Sequence, residues 1–317
     1  MDWRTPTPQA PPPFSETILP KIDTWSAIDF GNNAWVTIAG ASINVNVINP
    51  SEISNSVAVL YSGARAWQLF TLPAVAGWTG VAYGAGVWVA VAYSGQIARS
   101  TTNGATWTLT AAPSASWCSI AFANGIFMAV ADDGSILTST NGYTSWTSRS
   151  TGSPYLRHVA FGGGTWVVCG RAYFSGGVWR STDNGATWTA ITMSGAELTT
   201  NDPFYGGVAY GDGVFTIGIL RNTFGQTNTT IVSADLGVTW TATPLPSPVD
   251  DWICAASTSK IVLVGILRTA VSTDSGANWG ASLNPPPNPT ASVNGLAFGD
   301  GRFARVGNGT NVVVFFE

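Results

Sequence analysis

The chain has 317 residues, of which 45 % are hydrophobic, 9 % charged and 15 are tryptophan, with a formal net charge of −4. Such a composition can bury a sizeable core and excludes a disordered chain, and the lack of a basic run argues against a nucleic-acid partner. The longest apolar runs are strand-length and broken by glycine, which excludes a membrane-spanning helix.

The opening MDWRTPTPQAPPPF has no basic stretch followed by an apolar one, so no secretory leader is expected. Further on, IDFGNNAWV (28–36) starts a phrase that returns as VAYGAGVWV (81–89), IAFANGIFM (120–128), VAFGGGTWV (159–167), VAYGDGVFT (208–216) and LAFGDGRFA (296–304), with a worn copy, AASTSKIVL, at 255–263. A second phrase keeps step with it: RSTTNGATWT (99–108), TSTNGYTSWT (138–147), RSTDNGATWT (180–189), VSADLGVTWT (232–241) and VSTDSGANWG (271–280). Its tryptophan recurs at Trp67, Trp107, Trp146, Trp188, Trp240 and Trp279, at gaps of 40, 39, 42, 52 and 39 residues. Each unit reads as four short strands: an alternating segment ending in Phe or Tyr, a Gly-x-Gly-type reversal, an apolar second strand, a third strand running into the Ser of the second phrase, and a fourth starting at its Trp. A period near 40 residues with four strands per unit predicts an all-β, seven-bladed β-propeller of antiparallel blades.

The last unit runs out after GNGTNVVVFFE, before its fourth strand. MDWRTPTP resembles the fourth strands TSWTSRST and ANWGASLN, so a strand around Trp3 is expected to complete the C-terminal blade and close the ring. The expected division is one domain: a closing strand at 1–8, a Pro-rich link at 9–24, and blades near 25–72, 78–113, 117–152, 156–193, 204–246, 252–284 and 293–317 plus 1–8.

Ser181 to Trp188 carries S-x-D-x-G-x-T-W in full, as does Ser233 to Trp240; Ser272 to Trp279 has Asn278 for Thr, while Thr102 and Asn141 replace Asp in two other copies. The pattern resembles the Asp-box, or BNR repeat, of sialidase-like propellers. An Asp can accept hydrogen bonds from nearby backbone N–H groups and lock a turn, Gly two residues on allows the reversal, and Trp buries a large apolar area between sheets. Asp183, Gly185, Trp188, Asp235, Gly237, Trp240, Asp274, Gly276 and Trp279 are therefore read as architecture. Replacement of the acid by Thr or Asn fits a turn and not a nucleophile or metal ligand.

The sialidase resemblance implies an arginine triad, a Tyr–Glu pair and often an Arg-Ile-Pro stretch. No Arg-Ile-Pro occurs, and the only glutamates are Glu16, Glu52, Glu197 and Glu317. Asp132-Asp133 and Asp250-Asp251 are sequence neighbours whose side chains diverge on an extended strand, not facing acids of a glycosidase. The lone His158 is read as a packed or channel-lining residue, and Cys118, Cys169 and Cys254 as reduced thiols without metal-ligand spacing. No catalytic residue, cofactor or metal is expected.

In such a blade the reversals and boxes fall on one face. The irregular insertions, at 44–56, 171–177, 193–205, 221–230, 243–251 and 284–290, fall on the other, where recognition is expected. Arg171, Tyr173, Phe174, Phe204, Tyr205, Arg221 and Phe224 are the candidate contacts, since aromatic and Arg side chains anchor interfaces and stack on sugars. Few lysines, abundant Thr, Ser, Asn, Gly and Trp, no secretory leader and a Pro-rich opening look like a virion protein, and the phrase pattern VAYGxGVFVAV … STDxGxTWT resembles propeller domains of bacteriophage tail and fibre proteins. That implies a virion component, made in the host cytoplasm, that binds a cell-surface carbohydrate or a neighbouring virion protein. The alternatives are a photosystem-type assembly-factor propeller, similar in repeat and blade number, and a sialidase-like glycoside hydrolase.

Overall fold

The structure, a computed structural model, describes residues 14–41, 53–170, 177–192, 204–220, 229–246, 252–256, 259–265, 269–282, 293–307 and 310–316. Alternation in each first phrase makes an inner strand whose partner follows through a two-residue hairpin. Both hairpin residues take positive φ, as at Ala85 (49°) and Gly86 (78°) or Asp212 (51°) and Gly213 (80°). That conformation matches the right-handed twist of the flanking strands.

The strands assemble into seven four-stranded antiparallel sheets. The first holds Trp25–Gly31, Ala34–Ala39, Ser54–Tyr61 and Gln68–Ala76, in that order from the ring centre outward. In the last sheet Val293–Gly299, Arg302–Gly307 and Thr310–Phe316 are followed by Phe14–Asp23. Phe14 pairs with Phe316, Glu16 with Val314 and Ile18 with Val312. The expected closing strand is thus corrected: Phe14–Asp23, placed by the sequence reading in a Pro-rich link at 9–24, is the strand that pairs with the C-terminal one, and Trp3 with residues 1–8 lies outside the described residues. Leu19 is buried, and Thr17 accepts a hydrogen bond from Trp67 Nε1 of the first blade at 2.9 Å. The strand therefore belongs to the packing of both the last blade and the first.

Three devices that recur around the ring join neighbouring blades. First, the second-phrase tryptophan packs into the preceding blade: Trp107 joins Val36, Val57 and Val59 of the first blade, and Trp240 joins Val167 and Cys169 of the fourth. Second, the aromatic residue ending one inner strand lies on the glycine ending the previous one. A Cβ built on Gly31, Gly84, Gly162 or Gly299 would come within 2.4 Å of Tyr83, Phe122, Tyr210 or Phe30 respectively. Third, inner strands carry a register shift near their start, and the residue there reaches the next blade's backbone. Ser26 Oγ donates to Trp78 O at 2.7 Å, Thr79 Oγ1 to Trp117 O at 2.8 Å, and Asn294 Nδ2 to Trp25 O at 3.1 Å. The Gly299–Phe30 and Asn294–Trp25 contacts make the seventh-to-first junction equivalent to the others.

Candidate binding face and central channel

The second phrase folds as a turn in which serine and aspartate consume backbone donors together. Ser181 Oγ donates to Asp183 Oδ1 at 2.7 Å and accepts Gly185 N–H at 2.9 Å. Asp183 accepts Thr187 N–H on Oδ1 at 2.9 Å and Thr187 Oγ–H on Oδ2 at 2.6 Å. The same bonds recur around Asp235, with Thr239, and around Asp274, with Asn278. Where the acid is lost, Thr102 Oγ1 accepts Thr106 N–H at 2.8 Å, and Asn141 Oδ1 accepts the N–H groups of Tyr143 and Thr144 at 2.9 and 3.2 Å. The positions that drift thus keep the acceptor and drop the charge. These turns also bond the preceding blade's hairpin: Asn103 Nδ2 donates to Asn32 O at 3.3 Å, and Ser275 N donates to Asp212 Oδ2 at 2.7 Å. Hairpins and repeat turns therefore share one face and tie neighbouring blades there.

Hydrogen bonds from Thr187 and Ser181 hold the exposed Asp183 carboxyl at about 2. At Asp235 desolvation pushes upward, but the bonds from Thr239 and Ser233 outweigh it and the group also lies at about 2; Asp274 is lowered by Asn278 and Ser272. A carboxyl whose folded pKa lies below its unfolded value near 3.9 contributes stability that is complete above that value and is lost as pH falls toward 2. The double variant Asp183→Asn/Asp235→Asn keeps the acceptors and loses the charges, so with solvent screening it is expected to be less stable than wild type by about 0.5 kcal/mol per site near neutrality. The gap should narrow as pH falls from about 4 and close only below about 2, as read from urea midpoints across that range. A gap independent of pH would mean that the charges are not what the turns use.

Of the expected contacts for the opposite face, Arg171, Tyr173, Phe174, Arg221 and Phe224 lie outside the described residues. Phe204 and Tyr205, expected in a loop, belong instead to the fifth inner strand Phe204–Gly211, where they pair with Leu220 and Ile219. Their side chains lie outside the described set. Among the described residues, this face carries a chain of polar contacts that the sequence reading missed. Tyr93 Oη donates to Asp132 Oδ2 at 2.9 Å, and Arg157 Nη2 lies 2.9 Å from Asp132 Oδ1. Tyr93 and Asp132 each follow a second strand, of the second and third blades, and Arg157 sits at the register shift of the fourth inner strand. Three consecutive blades are thereby linked by half-buried polar groups. Burial pushes the Cys118 thiol up to about 12 despite the nearby Arg157, and Cys118 and Cys169 are both buried and outside any disulfide. No group of metal-ligating residues occurs among those described.

The inner strands enclose a channel of about 500 Å³. In the register that holds Asp29 in the first blade, the lining has Ala82, Ala121, Ala160, Ala209 and Ala297. His158 likewise stands in a register otherwise held by Ala27, Gly80, Ser119, Gly207 and Gly295. Desolvation raises the Asp29 carboxyl to about 6, although it accepts Tyr83 N–H at 3.1 Å. Desolvation, helped by the adjacent Arg157 guanidinium, pulls the His158 imidazole down to about 3, so it is neutral at physiological pH. Of the two places expected for His158, packed or lining the channel, the structure has it lining the channel. Asp29 was visible as the one acid in the IDF, VAY, IAF, VAF and LAF series.

A ring of radially packed antiparallel blades with its inner strands around a channel defines the β-propeller class. Among solved structures, the chain is similar to YCF48 bound to a D1 peptide, at 13 % identity, TM-score 0.71 and coverage of 97 % of this chain and 96 % of that one. It is similar to YCF48 from Cyanidioschyzon merolae at 13 % identity, TM-score 0.68 and coverage of 96 % and 99 %, and to a chain of the mitotic checkpoint complex at 12 %, 0.70, 100 % and 98 %. At these identities the likeness establishes the fold. No family model matches the sequence, and no curated protein matches it.

Proposed function

We propose that the chain is a non-enzymatic binding propeller that holds an extended protein segment on the face opposite its repeat turns, as an assembly factor would. The observation that carries this reading is the division of labour between the faces. On one, the recurring acids are consumed in turns that bond the next blade. On the other, Tyr93, Asp132 and Arg157 break the repeat and join one another in a half-buried polar cluster that spans three blades. Likeness to a YCF48 structure that holds a D1 peptide favours a peptide partner over a glycan. A virion attachment role in a phage tail or fibre rests on the lysine-poor, Thr- and Trp-rich composition and on the resemblance of the repeated phrases. The glycosidase reading has no facing pair of acids behind it among the described residues.

A displayed random peptide library selected on the wild-type chain tests the proposal. A common motif should be enriched. In its complex, amide exchange should slow around Tyr93, Asp132 and Arg157 and stay unchanged at Ser181–Trp188. Failure to enrich any motif, with binding on a glycan array or to whole cells, would transfer the protein to the attachment role. Turnover of a fluorogenic sialoside would restore the hydrolase.

A further inference from the structure

We infer that the central channel is a binding site for a primary ammonium group, held by the Asp29 carboxylate within a collar of aromatic rings. Phe30, Tyr83, Phe122, Phe161, Tyr210 and Phe298 stand at equivalent ends of six inner strands and all line the channel. Asp29 is next to Phe30 in sequence and is bonded to the Tyr83 backbone, so its carboxylate lies at the level of this collar. These rings pack on the neighbouring blades and make that end of the channel apolar, where a charge-assisted hydrogen bond gains strength. A lone carboxylate there, with backbone groups of the inner strands' free edges around it, selects a cation that donates several hydrogen bonds.

The channel supplies the negative charge without cancelling it. Among the described lining residues the other titratable groups are His158, which is neutral, and the phenols Tyr83 and Tyr210; no Lys or Arg is among them. Asp29 also breaks the repeat at a cost to folding. Its carboxyl is raised by burial, so folding favours the protonated form: the group leaves stability intact below about pH 4 and withdraws it as pH rises toward 6. Every other described blade places alanine there, which shows that the architecture does not require the acid. Residues that break a repeat at a cost in stability are where function is expected. The ammonium can come from a free small amine or from a lysine side chain of a bound segment; the chemistry is shared, and the site stands whether or not the partner proposed above is a protein.

The test is calorimetric titration at about pH 7.5 of wild type and of Asp29→Ala with butylamine, with the peptide acetyl-Gly-Lys-Gly-amide, and with its Nε-acetylated form. Asp29→Ala restores the consensus of the repeat and should melt no lower than wild type, which separates loss of binding from loss of fold. Wild type should bind butylamine or the lysine peptide at least tenfold more tightly than Asp29→Ala does. The acetylated peptide should not bind, and wild-type affinity should fall as pH drops below about 6. Binding of butylamine and of the peptide alike points to a free amine, and binding of the peptide alone to a lysine of a partner. Absence of binding by either, or equal binding by Asp29→Ala, would overturn the inference.

Discussion

Deletion of Phe14–Asp23 should lower the melting temperature by at least about 10 °C, whereas deletion of residues 1–8 should leave it nearly unchanged. The strand contributes the outer row of the last sheet, with Phe14 to Ile18 in continuous register against Phe316 to Val312. It also buries Leu19, covers the Val313 and Phe315 side of the seventh-to-first core, and gives Trp67 its hydrogen-bond acceptor. Re-exposing three apolar side chains costs about 1.5–3 kcal/mol each, and in a chain of this size each kcal/mol shifts the midpoint by about 2–4 °C. Loss of the strand also leaves Thr310–Phe316 as an unpaired apolar edge, a template for aggregation. A synthetic FSETILPKID peptide added to the truncated chain should restore part of the lost stability. Equal melting of the two truncations would show that the ring is closed elsewhere.

Gly84→Ala should destabilise the protein by about 3 kcal/mol or more, against about 1 kcal/mol for Gly86→Ala two residues on. At Gly86 an added Cβ meets nothing within 4 Å, so its cost is the positive φ of 78°. At Gly84 the Cβ would lie 1.9 Å from Phe122 Cγ, at the root of the ring and not at a flexible tip. Relief therefore requires the second and third blades to separate. The third blade supplies an internal comparison, since it ends its inner strand in Ala123, packed beside Phe161. That junction has been built around the methyl group; the one at Gly84 has not. Shortening the neighbour in Gly84→Ala/Phe122→Leu should recover part of the loss, and chemical denaturation of wild type, Gly84→Ala, Phe122→Leu and the double variant measures the coupling. If Gly84→Ala costs no more than Gly86→Ala, these glycines serve the hairpin alone.

These glycines mark how far the sequence could be read. The Gly-x-Gly phrase announces a reversal, but only its second glycine takes positive φ. The first is there to receive a ring from a blade some 40 residues away, and a local pattern does not reveal a contact at that distance. The closing strand was misplaced for a related reason. MDWRTPTP imitates a fourth strand in its Trp and Thr, yet the stronger likeness is between TILPKIDTW at 17–25 and FTLPAVAGW at 70–78. Leu19 and Leu72 are both buried, and Trp25 and Trp78 donate their Nε1–H to Lys21 O and Ala74 O. The match lies in the passage from an outer strand to the next inner one, so it is invisible to a search for tryptophan boxes.

The turn chemistry was legible because it is local. Ser, Asp, Gly and Thr within seven residues define every acceptor and donor, and even the copies with Thr102 and Asn141 keep the bonds. The site was legible only in part. Tyr93, Asp132 and Arg157 come from three blades and meet only through the ring. Asp29 stood in plain view, but an isolated acid in a strand gains meaning only once its register is known to face a channel filled elsewhere with alanine.

What the recurring acids do decides whether this propeller is a scaffold for binding or a site of chemistry. Titration of the Asp183 and Asp235 side-chain carboxyls by carbon-detected nuclear magnetic resonance tests that most directly. Locked in their turns, both groups should titrate near 2. Titration at 4 or above in either would mean that its carboxyl is not committed to the turn, and the division of the molecule into a fastened face and a recognising face would fail with it.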